Sequence, residues 1–205
     1  PGGGSSPASP EVFPTTPSPV PTNAPTLDPN IPQWVPRGKD HITWDGLVDE
    51  VGFGVTIDMS SDGRVVAVAA PQSHHNFLIY SGEIYVYEWI DDVEGGGGEW
   101  IVRGQPIGGP EAGSLVALVG TLAISPDGNT VAFSTTLHMD GAGLVQVYRW
   151  DEDSTEWQQL GTDLVGEQAQ EQLGTSLALS EDGSALALGA LLREVDESDV
   201  QGLGF

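Results

Sequence analysis

The chain has 205 residues, room for one domain with a buried core, and sets six Lys plus Arg against thirty Asp plus Glu, a formal net charge of −24. A surface this acidic repels nucleic acid and anionic bilayers, whose recognition requires cationic side chains to displace counterions; it attracts basic proteins, cationic polymers and divalent cations. The absence of cysteine excludes disulfides, thiolate metal sites and cysteine nucleophiles, and no run reaches the roughly 20 apolar residues of a membrane helix.

Eleven of the fifteen prolines lie before residue 37. Proline removes backbone donors and fixes φ, and residues 1–33 mix it with Ser, Thr, Gly and Ala, so this segment reads as an extended or disordered linker or stalk. Ser/Thr beside Pro is also the composition of O-glycosylated stalks, which points to an extracellular or cell-surface setting; a plain flexible linker is the alternative. With no initiator Met and no signal-peptide pattern, the chain reads as a processed or excerpted segment.

From Trp34 onward three phrases recur. WVPRG (34–38), WIVRG (100–104) and WQQLG (157–161) share W-x-x-x-G. Three Ser-x-Asp-Gly turns, at Ser60–Gly63, Ser125–Gly128 and Ser180–Gly183, each stand between apolar alternating runs, a hairpin signal because Gly accepts positive φ and Asp bonds its own backbone. GEIYVYEW (82–89) and GLVQVYRW (143–150) repeat a third run, and a further copy begins at Gly202-Leu203-Gly204-Phe205. Alternation puts Ile84 and Val86 on one face and Tyr85, Tyr87 and Trp89 on the other. Apolar groups on both faces suit a sheet held between two others.

One unit therefore reads strand, Asp-Gly turn, strand, longer loop, strand, hairpin, strand. The expected fold class is all-β: a partial β-propeller of four-stranded antiparallel blades, about two and a half of them. Its segments are a leading strand and connection at 34–49, a first blade at 50–109, a second at 110–166 and a partial third at 167–205. Trp34–Gly38 is a fourth strand without the three before it, the kind that completes a ring's last blade. Two and a half blades leave an open edge, and the natural polypeptide is expected to continue and complete the propeller.

These phrases resemble the FG-GAP repeats of integrin-alpha-like β-propellers over roughly residues 34–205. Phe53-Gly54 with Ala69-Ala70-Pro71 is similar to that family's opening Phe-Gly and closing Gly-Ala-Pro; Leu173-Gly174 with Gly189-Ala190, and Val119-Gly120 with Ser134-Thr135, are fainter copies. The resemblance implies a large secreted or surface protein. The family's calcium loops, rich in Asp, are here reduced to Ser-x-Asp-Gly with one or two carboxylates (Asp62; Asp127; Glu181 and Asp182), too few oxygens for calcium. The calcium function is not carried over. The turns are also similar to those of WD40 and TolB-type propellers, but the Trp-Asp ending is missing and the units are longer.

Candidate ligand contacts lie in loops expected to share one rim. His74 and His75 fall in the loop after the second strand of the first unit, and His138 and Asp140 in the equivalent loop of the second. A transition metal would need these imidazoles to converge with a carboxylate, whereas adjacent residues on an extended chain point apart, and solvated loop histidines are the default. Asp196, Glu197 and Asp199, in the third such loop, are candidates for calcium; a run of like charges is ordinarily just solvated. Trp44, unmatched by the repeats, is a candidate ligand contact, while Trp89, Trp100, Trp150 and Trp157 recur with the blade and are expected to pack between sheets. Gly95–Gly98 lacks the Lys and helix of a phosphate loop.

No nucleophile elbow or catalytic triad is recognisable, so an enzyme is not expected and no cofactor is implied beyond the calcium candidates. The expected function is a non-catalytic binding or scaffolding module that uses loops 72–82, 137–143 and 191–202 to engage a protein or glycan, without nucleic acid and without inserting in a membrane. The alternatives are a structural, acidic wall or matrix protein and a propeller enzyme whose active site lies in further blades.

Overall fold

The computed structural model describes residue 42 and residues 52–91, 97–118 and 121–193. The Pro-rich segment, Trp34–Gly38, Trp44, the Asp196–Asp199 cluster and the copy at 202–205 lie outside the described residues.

Within them the chain is almost entirely antiparallel β structure. β1 (Ile57–Met59), β2 (Val65–Ala70), β3 (Glu83–Asp91) and β4 (Gly98–Val102) form a sheet in chain order, and β5 (Ile107–Gly108) pairs with the start of β3. β6 (Leu122–Ile124), β7 (Thr130–Thr135), β8 (Leu144–Asp151), β9 (Glu156–Gln159) and β10 (Leu164–Val165) repeat that arrangement. β11 (Leu173–Leu179) and β12 (Leu186–Ala190) form a hairpin. The turn at His138–Gly141 is no helix: Met139 (φ 46°) and Asp140 (φ 55°) are left-handed.

Each unit's fourth strand, expected as one run, is split. β4 ends at Val102, the Arg103 amide still donates to the Val86 carbonyl (2.7 Å), and the chain bulges before β5 rejoins β3 opposite Glu83 and Ile84. In the second sheet the Leu160 amide donates to Val147 (2.7 Å) and β10 rejoins at Leu144 and Val145. The Gly of W-x-x-x-G causes the break, since Gly104 (φ 77°) and Gly161 (φ 80°) adopt a conformation no strand continues through.

The Ser-x-Asp-Gly turns have one chemistry, used three times. The Ser60 hydroxyl donates to Asp62 Oδ1 (2.7 Å) and accepts the Val65 amide (2.9 Å), and the same Oδ1 accepts the Arg64 amide (2.9 Å). Ser125, Asp127, Asn129 and Thr130 reproduce the network, as do Ser180, Asp182, Ser184 and Ala185. Each carboxylate satisfies donors that the hairpin would leave unpaired. Turns of successive units are joined by the Ser61 amide to the Pro126 carbonyl (2.9 Å) and the Asp127 amide to the Glu181 carbonyl (3.3 Å).

These bonds hold Asp182 down to about 2, first through the Ser184 amide, and lower Asp62, chiefly through the Ser60 hydroxyl. For Asp127 burial is the largest single influence and raises the pKa, but the bonds from Ser125 and Asn129 together outweigh it. A carboxylate depressed by folding stabilises above its unfolded value, here 3.8, and that contribution disappears as the pH falls through the folded value. Melting temperature is therefore expected to drop between about pH 4 and pH 2. The D62N/D127N/D182N variant should start lower at neutral pH and lose part of that slope; an unchanged slope would refute the assignment.

The core lies between the first two sheets. Val65, Ala67, Ala69, Ile84, Val86 and Ile107 from one side meet Leu122, Ile124, Val131, Phe133 and Trp157 from the other, with Val116 and Ala117 of the connection between them. The tryptophans pair across the third hairpin of each unit, Trp89 with Trp100 and Trp150 with Trp157, both at 5.4 Å; Trp89 and Trp157 are buried. Arg103 leaves the first sheet to lie over Trp150 (4.7 Å) and Trp157 (5.8 Å) of the second, donating to the Gly128 carbonyl (3.0 Å) and Asn129 Oδ1 (2.9 Å). The third sheet packs on the second through β11. On β12, Ala187 and Leu188 are exposed, whereas their counterparts Ala67 and Val68, and Ala132 and Phe133, are buried.

Candidate functional site

The connections that leave the second strand of each unit, 71–82, 136–143 and, within the described residues, 191–193, occupy equivalent ends of the three sheets, and inter-sheet segments stitch them into one rim. The amides of Gly113 and Leu115 donate to the carbonyls of Ile79 (2.9 Å) and Tyr80 (3.1 Å). His138 Nδ1 lies 2.6 Å from Glu111 Oε1, and the Thr135 hydroxyl donates to the Ser114 carbonyl. Further along, Gln170 and Gln172 donate to Asp140 (3.1 Å) and Gly141 (2.8 Å), and Leu192 to Glu171 (3.2 Å). Glu171 is buried; it accepts the amides of Glu167 (2.7 Å) and Gln168 (3.1 Å) and faces Arg193 (3.3 Å), pinning the third loop.

Large apolar side chains stand exposed on this rim in every unit: Phe77, Ile79 and Tyr80 in the first loop, Leu137 and Met139 in the second, Leu191 and Leu192 in the third. Asn76 (φ 48°), Phe77 (φ 69°) and Tyr80 (φ 54°) are left-handed, a strained backbone kept where an ordinary loop would relax.

The histidines do not converge. His74 accepts the Tyr80 amide at Nδ1 (3.0 Å) and packs edge-on to its ring (5.0 Å). His75 Nδ1 meets Glu83 Oε1 (2.8 Å), and Glu83 Oε2 accepts the Tyr85 hydroxyl (2.7 Å). His138 takes a different carboxylate, Glu111, and Asp140 contributes its backbone carbonyl to the Gln170 contact. Among the described residues no three His, Asp or Glu side chains are grouped to hold a metal ion.

Glu83 was not legible as a site residue, although it is only 8% exposed. The one available signal is the repeat itself: aligning 82–89 with 143–150 sets Glu83 against Leu144 and Tyr85 against Gln146. Beside this pair is a cavity of about 400 Å³ lined by His75, Asn76, the bulged segment Gln105–Gly108 and Tyr148 of the second sheet. Burial, helped by Asp163, raises the Tyr148 pKa, so its phenol stays protonated. Gly108 lies directly opposite Glu83 in the β3–β5 register. A Cβ there would overlap Cγ and Cδ2 of His75, so only glycine leaves room for the imidazole.

No family model matches the chain. Over 90 residues, 40% of this chain, it is 34% identical to an RCC1-like G exchanging factor-like protein of Homo sapiens, and the chain spans only 19% of that protein's length. Among solved structures, a putative 6-phosphogluconolactonase from Bacteroides fragilis superposes on 64% of this chain and 30% of its own, with a TM-score of 0.41 and 16% identity. Neither likeness assigns a family or an activity, and the chain is described by its own architecture: repeated antiparallel β sheets carrying one stitched rim of loops.

Proposed function

We propose that the chain is about two and a half blades of a β-propeller, the rest of its polypeptide completing the ring, and that it serves as a non-catalytic extracellular or cell-surface binding and scaffolding module. Its ligand-facing surface is the rim, and its ligand is a protein or a glycan. One observation carries this reading: exposed Phe, Tyr, Ile, Leu and Met side chains recur on all three equivalent loops and are held there by hydrogen bonds. Aromatic and aliphatic anchors amid polar groups are how protein interfaces concentrate affinity. The acidic background selects a partner with apolar pockets ringed by Lys and Arg, and it speeds the encounter.

The test places a photo-crosslinking amino acid at Phe77, at Met139, or at Ile90, which is exposed at the far end of β3. Positions 77 and 139 are expected to capture the same partner and position 90 none. Different partners from 77 and 139, or equal capture from 90, would overturn the reading. Alanine at both Phe77 and Tyr80 should then weaken binding to that partner by about 30-fold, the scale of one interface hot spot.

A further inference from the structure

The second unit builds the corner below its rim from apolar or neutral residues: Leu144 is buried where the first unit has Glu83, Val165 stands where it has Gly108, and Gln146 stands where it has Tyr85. The fold therefore does not require the His75–Glu83–Tyr85 network. Placing a carboxylate where leucine suffices costs desolvation that packing does not return. Departures from a repeat's own rule of this kind collect at functional positions.

We infer that the cavity beside His75 binds the ring of a neutral saccharide. With Glu83 accepting from Nδ1, Nε2 is the nitrogen left to serve a ligand, and the carboxylate fixes the imidazole's orientation. No Lys or Arg lines the cavity, and a protein of net charge −24 offers an anionic ligand only repulsion, which excludes phosphorylated and carboxylated sugars. No Asp or Glu lines it either; both Glu83 oxygens are bonded inward to His75 and Tyr85, so an amine finds no ion-pair partner. What remains is an imidazole, a protonated phenol, the Asn76 amide and the apolar faces of Pro106 and Ile107, the Gln105 amide being bonded at both ends to the Trp157 backbone. A pyranose or furanose has matching chemistry, with hydroxyl donors and acceptors at its edge and C–H groups on its faces. The volume lies within the usual range of small-molecule sites. This inference is independent of the rim: crosslinking at Phe77 or Met139 can fail while the cavity still binds a sugar.

The experiment titrates the whole chain with neutral hexoses, 6-deoxyhexoses, pentoses and N-acetylhexosamines as methyl glycosides, reading heat by calorimetry and the His75 imidazole ¹⁵N resonances by NMR. At least one ring is expected to bind and to shift the Nε2 resonance of His75. Its affinity should fall roughly tenfold or more in H75A and in Y148F, the loss of one or two hydrogen bonds. H75Q, which keeps a donor and most of the volume, serves if H75A unfolds. E83Q should weaken binding and alter the His75 nitrogen shifts while the protein still melts cooperatively. Spermidine and a sulfated sugar run alongside. Binding by either of those alone, binding that H75A or H75Q and Y148F leave unchanged, or no neutral ring binding at all would each overturn the inference.

Discussion

Replacing Arg103 with alanine is expected to destabilise the protein by about 3 kcal/mol, the combined scale of an orphaned buried hydrogen-bond partner and a gap in packing. Arg103 is 8% exposed and is one of six cations in the chain. Its guanidinium caps the Gly128 carbonyl and Asn129 Oδ1 and covers the Trp150 and Trp157 rings. Truncation leaves that carbonyl without its donor and opens a gap beside two indoles, so unmade hydrogen bonds and lost packing add together. The carboxylates contribute little: Glu152 is largely solvated at 3.4 Å, and Glu88 stands 3.6 Å from Nε, beyond hydrogen-bond length. Lysine keeps the charge but not the planar fork or the stacking, so R103K should recover less than half of the loss. Denaturant unfolding followed by tryptophan fluorescence reads this directly. A loss below about 1 kcal/mol, the worth of an ordinary surface contact, would show that the sheets are held together without the clamp.

The second large effect is expected at the glycine that opens each third strand. Gly82 (φ 79°) and Gly143 (φ 89°) lie where the connection to the next sheet crosses the chain. A Cβ at Gly82 would lie 2.7 Å from Val116 Cγ2 and 2.8 Å from its amide nitrogen, and at Gly143 it would fall on the backbone of Leu173. Valine at either site combines a left-handed β-branched residue with a backbone collision and should cost about 3 kcal/mol or more. Gly161 is the control: its φ is similar (80°), but nothing lies within 4 Å of its Cβ position. G161V should cost only about 1–2 kcal/mol, the conformational part alone. Equal losses at Gly143 and Gly161 would mean that close crossing of the sheets is unimportant.

The hairpins were legible because their chemistry is local. Ser, Asp and Gly within four residues specify the turn, and period-two alternation specifies the strands on either side, so β1–β2, β6–β7 and β11–β12 form where the three motifs stand. The opening Gly of GEIYVYEW and GLVQVYRW was visible as a repeat, but its reason was not, since Val116 and Leu173 reach it from thirty or more residues away. W-x-x-x-G likewise treats its fourth position as free: Arg103 and Leu160 share it, and only the packing of one sheet on the next shows that the arginine is a clamp. The pairing of His75 with Glu83 depends on Gly108 arriving opposite Glu83 through β5, a strand of two residues that no periodicity could announce. The exposed side chains of the rim had no pattern either, because loops carry no alternation from which exposure can be read.

The contact between sheets has a direction. Arg103 reaches forward from one sheet to the tryptophans of the next, and amides on one turn donate to carbonyls on the turn that follows. Such a head-to-tail joint has no two-fold partner. It leaves a donor end and an acceptor end, and it propagates until a ring closes or a different surface stops it. The third sheet stands at the donor end of this series, and on its β12 both Ala187 on one face and Leu188 on the other lie at the surface.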